Sequence, residues 1–164
     1  MRNVHDVAAY ILEKHGPMSS MKLQKLIYYS QAWHLVWEDE PLFDAEIRAW
    51  ANGPVVYEVF HAHQGQYTVE APWNSGNSAR LTKAARGTIE AVLGTYGQLT
   101  GQQLSALTHA EAPWRDARVG LAATDRGNTP ITADALAEYY GAVALADDAK
   151  EVTNLDWSEW GAAN

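Results

Sequence analysis

Apolar positions recur at helical spacing almost from the start of this chain. Val4, Val7, Ala8, Ile11 and Leu12 fall on one face of a first predicted helix. Asn3 stands where an N-cap belongs, Asp6 lies in the first turn where the helix dipole favours a carboxylate, and Gly16-Pro17 ends the segment. A longer helix, capped by Ser19 or Ser20, is predicted to run to about Asp39. Leu23, Leu26, Ile27, Ser30, Trp33, His34 and Trp37 project onto one of its faces, while Tyr28, Leu35 and Val36 lie off that stripe. A helix apolar around so much of its circumference belongs at the centre of a bundle. His34, in mid-stripe, reads as a hydrogen-bonded core histidine.

Beyond this helix the signals shorten. Leu42 and Phe43 look like buried anchors in a loop, and Ala45 to Trp50 alternate weakly, as a short strand would. Asn52-Gly53-Pro54 makes a turn, with Pro54 suited to the first position of a third helix that buries Val56, Val59, Phe60 and His63 and ends at Gln64-Gly65. The segment from 66 to 80 is rich in Gly, Asn, Ser and Pro. It reads as an exposed loop holding Trp73, with a second short strand near Tyr67 to Val69. Thr82 caps a fourth helix with Ala85, Ile89, Val92, Leu93 and Tyr96 on its apolar face. Gly87, Ala91 and Gly94 form a small-residue stripe that would admit a close neighbour. Thr100 and Gln103 form a capping box before a fifth helix that buries Leu104 and Leu107. Pro113 opens a short sixth helix, and Thr132 caps a last one striped by Leu136, Tyr139, Tyr140, Val143 and Ala144. The pattern predicts a mostly α fold: a compact bundle of about six or seven helices with at most a small two-stranded β element. One helical domain is expected over residues 1–146, followed by an acidic tail over 147–164 that carries Trp157 and Trp160.

Composition narrows the function classes. With no cysteine, disulfides and thiolate metal sites are excluded, in keeping with a reducing cytoplasm. The chain shows neither an apolar signal core nor a run near the roughly 20 apolar residues that span a bilayer, so a soluble cytoplasmic protein without membrane contact is expected. Seven Trp and eight Tyr against two Phe favour rings whose N–H or O–H finds a partner at a surface or interface. A net charge of −8 disfavours nucleic acid, whose binding draws on Lys and Arg, and suits a basic protein partner.

Catalytic motifs are sparse. No phosphate-cradling glycine loop, nucleophile elbow or His-Glu-x-x-His is present, and His61 and His63 diverge on a helix, so no metal and no cofactor is expected. His109, Glu111, Asp116 and Arg118 could do acid–base chemistry. The favoured reading is a structural knot in which His, Glu and Arg satisfy one another and nearby helix ends. Val4 to Trp37 and Gln102 to Arg118 could each pass for a helix-turn-helix, which leaves a DNA-binding regulator as the alternative function and an enzyme using His109 and Glu111 as a weaker one.

One set of segments carries more. Met21-Lys-Leu-Gln-Lys-Leu-Ile-Tyr-Tyr-Ser-Gln-Ala-Trp-His34 is followed by Pro41-Leu-Phe-Asp44, then Ile47-Arg-Ala-Trp-Ala-Asn-Gly-Pro-Val-Val-Tyr57, then Leu107-Thr-His-Ala-Glu-Ala-Pro-Trp-Arg-Asp-Ala-Arg118. In this order they resemble the Panacea domain, the family of SocA-like antitoxins and phage-associated GepA-like proteins. The resemblance implies a mostly helical antitoxin, encoded in bacteria or their phages, that neutralises a toxin from an adjacent gene by direct contact; delivery of the toxin to a protease is a related possibility, and with no catalytic motif present an enzyme is not expected. A homo-oligomer is left open. Lys22, Leu23, Lys25, Tyr28, Trp33, Trp50, Gly53, Pro54, His109, Trp114 and Arg118 match the family pattern and are expected to be mostly structural. Partner contact is then expected from Tyr67 and Trp73 in the 66–80 loop and from Trp157 and Trp160 in the tail.

Overall fold

The computed structural model describes residues 3–147; the tail beyond them, with Trp157 and Trp160, lies outside the described residues. Helix α1 (Val4–His15) is followed by strand β1 (Met18–Ser19) and helix α2 (Ser20–Glu38). Strands β2 (Ile47–Trp50) and β3 (Gly53–Val56), helix α3 (Tyr57–His63), strand β4 (Thr68–Val69) and a 3-10 turn (Ser78–Arg80) come next. Helices α4 (Lys83–Tyr96), α5 (Gly101–His109) and α6 (Ala112–Ala117), strand β5 (Pro130–Ile131) and helix α7 over 133–147 complete the order.

Local sequence sets most helix starts. Asn3, Ser19 and Thr82 each accept a backbone N–H at the head of α1, α2 and α4, and Thr100 with Gln103 forms the full reciprocal box at α5. Thr132 accepts from Ala135 N at 3.1 Å and so caps α7. Helix α2 is central, as its all-round apolar pattern requires. It packs against α1, α4, α5 and β3, and an unbroken run from Leu23 to Ala32 is buried. His34 is a core histidine whose Nδ1 lies 2.8 Å from Thr88 Oγ1.

The β content exceeds one small pair. Strands β1 and β4 form one antiparallel ribbon, and β3-β2-β5 form a three-stranded antiparallel sheet. Pro54 does not open a helix: it lies in β3 opposite Ala49, and α3 starts three residues later. Gly53 at φ 115 turns the chain back along β2, and hairpin pairing overrides the N1 preference of Pro54. The stripe of Gly87, Ala91 and Gly94 faces outward, and a Cβ on either glycine would meet nothing within 4 Å. It receives no neighbouring helix because α4 packs through Ala85, Thr88, Ile89 and Val92 instead.

Two α2 glutamines hold the sheet and the loop before it. Gln24 accepts from Val56 N at 2.8 Å and donates to Val56 O, acting as a strand partner for the end of β3. Two helical turns on, Gln31 accepts from Leu42 N and Phe43 N and donates to Phe43 O. Each answers backbone groups that no ladder reaches. The 66–80 loop is likewise tied down: Asn77 N donates to the buried Asp6 carboxylate at 2.8 Å, and Ser78 donates to Glu13.

Candidate functional site

The residues that the sequence groups around 109–118 do not satisfy one another. Glu111 caps α6 by position, and its Oε1 accepts from Tyr29 at 2.6 Å and from Tyr140 at 2.8 Å; Tyr28 and Tyr140 hydroxyls meet at 3.1 Å. Tyr29 stacks on Tyr96 with centroids 4.2 Å apart, and Trp33 donates to the Tyr96 hydroxyl. This node joins α2, α4, α7 and the α5–α6 junction. Burial raises the Glu111 carboxyl, opposed by the two hydroxyls that donate to it, and burial pushes the Tyr29 and Tyr140 hydroxyls up as well.

Arg118 takes a different set. Its guanidinium donates to four carbonyls, those of Ala49, Arg126, Ala122 and Asp125, and thereby folds residues 119–127 back onto β2. Gly127 at φ 76 allows this approach, since a Cβ there would lie 2.8 Å from the guanidinium. The refolded segment sets Arg126 over the Trp50 ring, 4.3 Å from its centroid. Asp116 is exposed. His109 stacks on Trp114 at 3.9 Å, and the Trp114 indole donates to Trp50 O at 2.8 Å. The Arg118 guanidinium also lies 5.3 Å from the Trp114 centroid, so His109 and Arg118 share that ring while Glu111 turns away to two tyrosines, and the favoured knot divides into two clusters.

Between these structures lies Lys25. It is 1% exposed, and among the described residues the ammonium makes one hydrogen bond, to Pro54 O at 3.2 Å. Gly53 leaves room for it: a Cβ there would sit 2.5 Å from Lys25 Cε. No salt bridge to Lys25 exists among the described residues. Burial lowers its amine to about 7. Burial also lowers His63 and His109, and the Lys25 charge lowers both further. Gln24 donates to His63 Nε2 at 3.0 Å if that nitrogen is unprotonated, which fits a neutral His63. Two buried nitrogens nearby, Trp50 Nε1 and His109 Nε2, have no partner among the described residues.

A cleft of about 430 Å³ opens beside this group, lined by Ser20, Gln24 and Lys25 of α2, Trp50 to Asn52, Val55, Phe60 and His63, with Thr124 and Arg126 across it. Two family-pattern positions, Lys25 and Trp50, line it; behind them Gly53 and Pro54 adjoin Lys25, Trp114 donates to Trp50 O and stacks on His109, and Arg118 holds the Arg126 carbonyl. Leu23 and Tyr28 are buried in the core, and Trp33 packs against it. Lys22 donates to Gly97 O at 2.6 Å and closes the C-terminal end of α4. Gln24, Gln31 and Arg126 carry weight that the sequence reading passed over. For the two glutamines the available signal was their seven-residue spacing within the mostly apolar stretch Leu23 to Leu35; nothing in the sequence marks Arg126.

The positions expected to meet a partner separate. Tyr67 is 82% exposed. Trp73 is partly buried against the core, donates its indole N–H to His5 Nδ1 at 3.1 Å, and stacks on that ring. Among the described residues, no helix is long and apolar enough to cross a membrane.

A model of the family described as "Antitoxin SocA-like, Panacea domain" matches residues 23–115. A curated relative, antitoxin SocA of Caulobacter vibrioides (strain NA1000 / CB15N), is 32% identical over 124 residues, covering 66% of this chain and 66% of its own. The chain thus spans just under two thirds of that relative. No solved structure matches.

Proposed function

The chain belongs to the SocA-like antitoxin family of the Panacea domain, and on that premise we propose that it is the antitoxin of a toxin–antitoxin system, binding its toxin directly. The observation that carries this reading is the family match itself, whose residues 23–115 include most of the central helix, the hairpin and Glu111. The net charge of −8 supports a basic partner. Tyr67 supplies an exposed ring beside the exposed Glu70, and Trp73 holds the loop that presents it. The acidic tail, with Trp157 and Trp160, would supply further aromatic and acidic contacts to the partner. A binding role is also supported over acid–base catalysis, because His109 and Glu111 answer different partners. We place the protein in the bacterial cytoplasm with a toxin encoded beside it.

Expression of each neighbouring reading frame, alone and with this chain, tests the proposal. One neighbour should arrest growth alone, and this chain should restore growth and co-purify with it. Tyr67→Ala, or removal of residues 156–164, should weaken that complex at least about tenfold without lowering the melting temperature, as loss of an aromatic anchor does. Rescue without a stable complex would contradict direct neutralisation, and unchanged affinity in both variants would remove the proposed surface.

A further inference from the structure

Outside the proposed toxin surface, the Lys25 cleft has the features of a ligand site. Its volume of about 430 Å³ falls in the range of small-molecule pockets. Met21, Val55 and Phe60 give it an apolar wall, and Lys25 and Arg126 give it two cations, while no carboxylate is among its lining residues. That sign is opposite to the chain's net charge of −8. A buried ammonium is ordinarily answered by an anion or by several acceptors. Among the described residues Lys25 has one carbonyl, which leaves its remaining donors unanswered there. Arg126 is held over Trp50 by the carbonyl collar of Arg118, which preorganises the second cation instead of leaving it loose.

We infer that this cleft binds a small organic anion, its carboxylate or phosphate set against Lys25 and Arg126 and its apolar body against Met21, Val55 and Phe60. Lys25 is the deep anchor and Arg126 the outer clamp. Guanidinium–Trp stacking leaves the Arg126 edge free to meet a carboxylate or phosphate side-on. The groups facing Lys25 from the packed elements are His63 of α3 and His109 of α5, both shifted toward their neutral forms, with no facing carboxylate among them. Anion binding therefore draws a proton onto Lys25, and affinity falls with rising pH above about 7.

The full chain is titrated with benzoate and with phenyl phosphate, using benzyl alcohol as the neutral comparison, to about 50 mM so that fragment-scale affinity registers. The indole N–H signal of Trp50 is followed by NMR, since that proton has no partner among the described residues. The expected result is saturable binding of one or both anions, at least about tenfold tighter than benzyl alcohol, as expected of charge-assisted pairing. Affinity should fall several-fold in Arg126→Gln, an exposed position that leaves the core intact, and about tenfold or more in Lys25→Met. It should also weaken by up to tenfold per pH unit above pH 7. No saturable shift with either anion, or equal binding by wild type and Arg126→Gln, would overturn the proposal. So would silence of both anions combined with loss of toxin binding in Arg126→Gln, which would make the cleft a protein contact instead.

Discussion

Two desolvated charges beside one face of the central helix, Glu111 half-buried and Lys25 fully buried, are treated in contrasting ways. Glu111 is enclosed by hydroxyls from α2 and α7, each aimed at its Oε1, and those hydroxyls are themselves fixed by ring stacking. Among the described residues Lys25, four residues before Tyr29 on the same helix, meets one carbonyl and lies beside an open cleft and two ring nitrogens without a hydrogen bond. The first is a node in which the fold answers its own polar groups, and removing one member strands the rest. The second has donors to spare. Desolvation pushes both groups toward neutrality, the carboxyl up and the amine down, but only the carboxyl is met by donors that counter the push. Burial alone therefore does not tell a structural charge from a functional one; the count of partners does.

The contrast breaks first at Glu111. Glu111→Ala leaves the Tyr29 and Tyr140 hydroxyls without their carboxylate acceptor and should lower stability to urea by about 3 kcal/mol, with Glu111→Gln costing about 1 because an acceptor oxygen remains. Equal small losses in both would show that the node is not closed. Next, Arg118→Leu removes four donors at once. It should cost about 2 kcal/mol and open residues 119–127 to limited proteolysis while the helices stay protected. Gly53→Ala should cost about 1–2 kcal/mol, because it puts a Cβ at φ 115 and against Lys25. The smallest change is expected at Lys25 itself: Lys25→Met at pH 7 should unfold at the same or a higher urea concentration, since an apolar side chain of similar volume replaces an incompletely answered ammonium. A loss above about 2 kcal/mol would place Lys25 with Glu111 as a fold-holding charge.

The features legible in the sequence are those set by neighbours in the chain. Asn3, Ser19, Thr82, Thr100 with Gln103, and Thr132 cap where their spacing predicts, because a cap needs only the next three residues. The centrality of α2 was legible because apolar residues on all its faces allow no other place. Long-range choices were not. Pro54 in a strand depends on β2 lying opposite, and the third strand of that sheet arrives from residues 130–131. Gly87 and Gly94 could equally have faced a neighbour or solvent, and the packing of Ile89 and Val92 decided it. The grouping of His109, Glu111 and Arg118 was visible as proximity in sequence. That Glu111 turns to two tyrosines, while His109 and Arg118 share the Trp114 ring and Arg118 gathers four carbonyls, required the positions of α7 and of residues 119–127. Asp6 reads as a dipole partner from its place in α1, but its buried carboxylate is also the acceptor that pins Asn77.

The most direct test of the claim that Lys25 is a charge left unanswered by its own fold is the pH dependence of unfolding, wild type against Lys25→Met. Folding holds this amine near 7, while the unfolded chain returns it to about 10.5. Between those limits unfolding takes up a proton, so the Lys25 contribution to stability is greatest at high pH and is lost as pH falls toward 7. Tyr28, Tyr29 and Tyr140 are pushed above their ordinary range, so a window of pH 7 to 9 avoids them. Across it, wild-type stability should gain up to about 1.4 kcal/mol per pH unit relative to Lys25→Met. Parallel curves for the two proteins would mean that the amine keeps its ordinary affinity for the proton, and that its charge is answered inside the fold after all.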